Sequence, residues 1–135
     1  MKTKIFCDSA DIKIIKEFNN NSLVSGFTTN PSLMRKAGAK DYKNYSLKLL
    51  SVCKKKPISL EVFADKFDEM IRQANTINSW GKNVYVKIPV VNSKGLFSGA
   101  VINKLSNKGI KLNITAVYTV AQVRKILKNL NKKSK

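Results

Sequence analysis

Five short stretches of the chain read as strands, and three of them alternate apolar and polar residues with a period of two. Each is followed by a segment whose apolar residues recur every three or four positions. Lys4 to Asp8 reads as a first strand. A helix from about Ala10 to Phe18 follows, with Ile12, Ile15 and Phe18 as its apolar stripe and Ser9 or Asp8 as its cap. The run Asn19-Asn20-Asn21 breaks that helix, and Leu23 to Phe27 forms a second strand that delivers Thr28-Thr29-Asn30-Pro31-Ser32. Pro31 favours an extended Asn30 and suits the first turn of a short helix through Leu33 and Met34. Gly38 ends this piece, and Tyr42, Tyr45, Leu49 and Val52 mark one face of a longer helix. Pro57 starts a third strand, Ile58 to Val62. Asp65 then caps or opens a helix with Phe67, Met70, Ile71, Ala74 and Ile77 as apolar positions, closed by Gly81. Asn83 to Pro89 is the fourth strand. A helix beginning at Lys94 or Gly95 turns Ala100, Val101, Ile102 and Leu105 inward and ends at Gly109. Lys111 to Ala116 is the fifth strand, and Val120, Val123, Leu127 and Leu130 make the inward face of a last helix.

Strict alternation of strand and helix predicts an α/β fold with a parallel sheet and right-handed crossovers. No strand is followed by a glycine-rich phosphate loop. Polar residues instead occupy one parity of three strands. Glu61 alternates against Ile58, Leu60 and Val62; Lys87 against Val84, Val86 and Ile88; Asn113 and Thr115 against Leu112, Ile114 and Ala116. An open sheet covered on both faces is apolar in both parities. A polar parity near the carboxyl ends of strands points to the interior mouth of a (β/α) TIM-type barrel. Eight such units take about 200 residues or more. The expectation is therefore a barrel truncated to five of eight units over residues 1–130, with a basic tail at 131–135. The first and fifth strands would then be edges. A second copy or a completing chain would cover them, or the sheet would stay open.

Lys87 is the residue in this pattern with the sharpest chemistry. A buried, unpaired ammonium is costly, so such a lysine either reaches water or sits in a lined cavity with a lowered pKa. A partly neutral lysine can attack a carbonyl. The chain has no histidine, which excludes imidazole bases and histidine metal sites and leaves acid/base work to Asp, Glu, Lys or Tyr. Cys7 and Cys53 have neither metal nor redox spacing and fit reduced core thiols. No metal and no cofactor is expected. Apolar residues make up 43% of the 135, with no run near a membrane span of about 20 residues. The N-terminus starts like a signal peptide but meets Asp8 and Asp11 too soon for an apolar core, so a cytoplasmic protein is expected. A net charge of +18 suggests an anionic partner. Its basic residues, however, are almost all lysines scattered over every predicted helix, with arginine only at 35, 72 and 124. Base-edge readout leans on arginine, so no specific nucleic-acid partner is expected.

Taken in order, the segments Phe6-Cys7-Asp8-Ser9-Ala10, Gly26-Phe27-Thr28-Thr29-Asn30-Pro31-Ser32-Leu33, Ile58-Ser59-Leu60-Glu61-Val62, Val86-Lys87-Ile88-Pro89 and Gly109 to Tyr118 resemble the transaldolase family. The likeness includes its small bacterial branch and the related fructose-6-phosphate aldolases. It runs from Lys4 to about Leu130, and the TTNPS and VKIP segments are its most specific parts. The resemblance implies a class I Schiff-base mechanism in the pentose phosphate pathway. A dihydroxyacetone unit passes from a ketose phosphate to an aldose phosphate, with sugar phosphates as the partners.

Residue by residue, Lys87 matches the Schiff-base lysine, and Asp8 the carboxylate that handles the donor hydroxyl proton. Glu61 and Thr115 match the pair that holds the catalytic water, and Asn30 and Asn113 match residues that bond the donor's hydroxyls. Thr28 and Thr29 belong to the same substrate-binding motif. Glu61 favours transaldolase over the aldolase branch, which tends to carry glutamine there. The family's phosphate-binding serine and arginine lie on later strands, so weak or no turnover is expected of these residues alone. The alternatives are an aldolase-like lyase or a non-catalytic, basic remnant. Plain structural readings stand beside these roles: Asp8 as a helix cap, Asn30 as a turn residue, Glu61 as an exposed strand end, Thr115 as a β-former.

Overall fold

The computed structural model describes residues 3–133. Met1 and Lys2 of the N-terminal stretch, and Ser134 and Lys135 of the expected basic tail, lie outside the described residues. Its elements are β1 (Ile5–Asp8), α1 (Ile12–Asn19), β2 (Val24–Thr28), α2 (Pro31–Lys36), α3 (Tyr42–Val52) and β3 (Ile58–Glu61). They continue with α4 (Phe67–Asn78), β4 (Val84–Pro89), α5 (Gly99–Asn107), β5 (Leu112–Thr115) and α6 (Val120–Asn129). The sheet order is β1-β2-β3-β4-β5, so each strand is bonded to the next in chain order. Doubly wound sheets reverse direction at a switch point, and this order never does. The fold is α/β of the (β/α) TIM-barrel type, with five strand–helix units.

The chain divides into two compact units, Met1–Glu61 with Trp80–Val84, and Val62–Ser79 with Tyr85–Lys135. In the first, β1 runs parallel to β2 with Asp8 opposite Thr28. Gly26 makes this packing feasible: a Cβ there would stand 2.7 Å from the Phe6 ring and 2.8 Å from the Pro57 carbonyl oxygen. Phe27, Ile15, Leu49 and Ile58 are fully buried beneath. The cap of α1 is Asp11, whose carboxylate accepts from the N–H groups of Lys13 and Ile14. Neither Ser9 nor Asp8 takes that role. The ladder extends one residue past β1, with Ser9 N–H donating to the Thr28 carbonyl at 3.0 Å, so the first helical turn starts later.

In the second unit, β4 is parallel to β5 and places Lys87 opposite Asn113 and Pro89 opposite Thr115. Its core joins Met70 and Ile77 of α4, Ile88 of β4, and Ile102 and Leu105 of α5. Three expectations shift here. Asp65 does not cap α4, whose N-cap is Lys66 and whose C-cap is Ser79, short of Gly81. The next helix starts at Gly99, because residues 90–98 form a small hairpin instead. There Ser98 N–H donates to the Val90 carbonyl at 3.0 Å, Val91 bridges Phe97, and Asn92 caps the turn through Lys94 and Leu96. Ala100 is accordingly exposed, whereas Val101, Ile102 and Leu105 are buried as expected.

Helix α6 is rotated from its expected orientation. A capping box between Thr119 and Gln122 fixes its entry, and Ile126 packs on Val90 and Ile102 with Leu130 beside it. The buried face thus follows the spacing 122–126–130, leaving Val120 (68%) and Leu127 (64%) largely exposed. No helix among the described residues is long and apolar enough to cross a membrane, and none of their His, Cys, Asp and Glu residues cluster as a metal site.

Candidate active site

In the first unit the carboxyl ends of three strands carry five of the expected residues: Asp8 on β1, Thr28 with Thr29 and Asn30 at the end of β2, and Glu61 on β3. Asp8 is exposed, and its carboxylate accepts a 2.7 Å bond from the Thr28 hydroxyl across the β1–β2 rung. Its charge, after burial, helps push the neighbouring Cys7 thiol above its ordinary pKa. Thr29 is buried and committed to the scaffold. Its N–H and its hydroxyl both donate to the Ser59 carbonyl, at 3.2 and 2.8 Å. Asn30 caps α2, its side-chain oxygen accepting from Leu33 N–H at 2.9 Å with Pro31 at the first helical position. The Asn-Pro pair is therefore a helix start, and the cap bond uses the side-chain oxygen of Asn30.

Glu61 is half-buried at the last residue of β3. Its backbone is gripped by a residue the sequence pattern marks only as apolar. The Tyr42 hydroxyl donates to the Glu61 carbonyl at 2.9 Å and accepts from the Glu61 N–H at 2.8 Å. Burial, the larger cause, and the Glu61 charge together raise the Tyr42 pKa well above its ordinary value, against an opposing effect of the bond to the Glu61 carbonyl.

In the second unit Lys87 lies on β4 with only 9% of its surface exposed. Val84, Val86 and Ile88 of the opposite parity are buried at 1%, 0% and 0%. Asn113 faces it in register, and Thr115, two residues further on, shares the parity of Asn113. Val62 N–H donates to the Lys87 carbonyl at 3.2 Å. A second tie went unread in the sequence. Asp65 accepts from both the Ser93 N–H (2.7 Å) and the Ser93 hydroxyl (2.8 Å), pinning the hairpin that follows the lysine strand. These bonds hold the Asp65 carboxyl below its ordinary pKa. Nothing in a local pattern pairs residues 28 positions apart; the available signal was only that Asp65 and Ser93 each follow a strand.

A buried strand lysine beside an asparagine, and a strand-end carboxylate paired with a threonine, are groups suited to carbonyl chemistry by covalent and proton-transfer steps. Comparison with known proteins gives the family. Residues 5–134 match the family model described as Transaldolase/Fructose-6-phosphate aldolase. The chain belongs to the transaldolase/fructose-6-phosphate aldolase family. Among its relatives, a protein named "Probable transaldolase" from Dehalococcoides mccartyi is 39% identical over 119 residues, covering 88% of this chain and 53% of that protein. One of the same name from Lactiplantibacillus plantarum is 40% identical, over 88% of this chain and 52% of the relative. A third, from Herpetosiphon aurantiacus, is 34% identical, over 88% and 51%. The chain thus spans about half the length of the curated relatives it matches.

Proposed function

We propose that these residues carry the covalent half of a transaldolase reaction, with Lys87 as the Schiff-base amine. The observation that supports this most is the burial of an ammonium-bearing side chain on a β-strand, with an asparagine in register beside it, in a chain of this family. The Lys87 amine adds to a ketose C2 carbonyl, and loss of water with Glu61 and Thr115 gives the iminium. Asp8 accepts the proton of the C4 hydroxyl as the C3–C4 bond breaks. The electron pair of that bond moves into the iminium and forms an enamine, and the aldose phosphate departs. The enamine carbon then attacks the acceptor aldehyde, Asp8 returns the proton, and water releases the product. Asn30, Asn113, Thr28 and Thr29 serve the donor hydroxyls directly or by fixing the strand ends that present them.

Glu61 favours transfer over simple cleavage, and the setting is the pentose phosphate pathway of the cytoplasm. None of the residues given a role above is assigned to hold the substrate phosphates. Poorly oriented substrate can slow a reaction by about a hundredfold or more. A second copy or a further chain adding strand–helix units would supply that orientation. The expected result with fructose 6-phosphate and erythrose 4-phosphate is slow release of the three-carbon aldehyde phosphate, abolished in Lys87→Ala. Turnover untouched by that substitution overturns the covalent assignment. Turnover equal to that of the D. mccartyi relative overturns the dependence on further residues.

A further inference from the structure

We propose that Tyr42 is the positioning residue of Glu61, its hydroxyl standing in for a rung of the sheet that β2 no longer provides. This rests on the assignment of Glu61 to proton transfer made above. The β2–β3 ladder is in register at Phe27 with Ile58 and Thr28 with Ser59. It continues to the bond from Thr29 N–H to the Ser59 carbonyl, and then Asn30 leaves the sheet to cap α2. In a parallel strand every second residue turns its N–H and C=O to the same neighbour. The residue after Ser59 that turns them toward β2 is therefore Glu61, and β2 has already ended.

One hydroxyl fills the gap from both sides. Tyr42 Oη donates to the Glu61 carbonyl and accepts from the Glu61 N–H, at 2.9 and 2.8 Å. Its platform is rigid. Tyr42 opens α3, whose cap Asp41 accepts from Asn44 N–H at 2.7 Å, and its ring lies 6.0 Å from that of Trp80 at a tilt of 57°. A phenol is protonated at neutral pH and so can donate, and burial raises its pKa further. A strand end held this way presents its carboxylate from a fixed backbone, leaving only side-chain torsions to settle. Without the hydroxyl, both backbone groups of Glu61 would lose that partner, and the catalytic carboxylate would wander. A misplacement near 1 Å can cost about a hundredfold in rate.

The test is Tyr42→Phe, which removes one oxygen and keeps the ring. Backbone amide exchange should quicken at Glu61 while Leu60 and Ile58 stay protected. With dihydroxyacetone and borohydride, adduct formation should slow by roughly tenfold to a hundredfold. In a Glu61→Gln background the same change should cost nothing further, because a positioning group acts only through what it positions. Unchanged exchange at Glu61 overturns the proposal. So does loss of protection across all of β3, which would make the hydroxyl a general support, and so does an undiminished penalty in the double variant. A wild-type chain that traps no ketone would instead overturn the Schiff-base reading, while the exchange at Glu61 would still decide whether Tyr42 holds that residue.

Discussion

Two side chains assigned to the chemistry sit in opposite environments: Lys87 is buried and Asp8 is exposed. For Lys87 the period-two pattern of β4 gave its parity but left open whether the amine reaches water or lies in a cavity, and only the structure shows the side chain to be buried. Asp8 was legible as polar but ambiguous in role. The structure excludes its reading as the α1 cap, since Asp11 holds that position. Thr29 and Asn30 were legible as a motif, yet the Thr29 hydroxyl and the Asn30 side-chain oxygen turn out to bond the scaffold. Of the two cysteines expected as core thiols, Cys53 lies in the core and Cys7 does not. Cys53 is fully buried, and burial raises its pKa against the smaller opposing effects of Lys56. Cys7 is partly exposed and raised by burial and by Asp8. A higher pKa means less thiolate at neutral pH. With iodoacetamide at pH 7.5, Cys53 should stay unmodified until urea unfolds the chain, and Cys7 should react more slowly than free cysteine. Rapid labelling of Cys53 in the folded protein would contradict this packing.

Element boundaries depended on competitions that a linear pattern does not display. Asp65 was read as a helix starter and Asp11 was not, yet Asp11 caps α1 and Asp65 reaches Ser93 across 28 residues. Helix α6 was read with Val120, Val123, Leu127 and Leu130 as its apolar positions, but it enters through the capping box and packs through Ile126 on Val90 and Ile102. Strands fared better, because alternation is a local property. The Asp65–Ser93 tie carries a pH dependence with a definite sign. Its folded-state pKa is lowered, so the stabilisation is fully present above the ordinary carboxylate value and is lost as pH falls through the lower folded value. Amide exchange at Ser93 should therefore be slow at neutral pH and, corrected for intrinsic rates, quicken well below pH about 4. Asp65→Asn should show the fast exchange at every pH. Within β2, Gly26→Ala should destabilise the chain by about 1–3 kcal/mol in urea unfolding, since the new methyl meets Pro57 and Phe6 inside contact distance. A neutral result would mean that the β1–β2 packing yields readily.

For the whole molecule, topology was the most legible feature. Five strand–helix alternations without a phosphate loop, with polar residues in one parity of three strands, left few arrangements open, and the observed order follows the chain. The charge of +18 was equally plain but points to no particular partner, being spread over lysines on many faces. That spread is useful in one respect. Numerous exposed lysines compete with Lys87 for any carbonyl, so selectivity for the buried one is a stringent criterion. The most direct measurement is to treat the folded chain with dihydroxyacetone and borohydride and map the reduced adduct by peptide mass spectrometry. The adduct is expected on the Lys87 peptide, far above its level on exposed lysines, and to disappear when the chain is first unfolded in urea. Labelling spread evenly over surface lysines, or absent from Lys87, would contradict the assignment of this residue as the covalent amine.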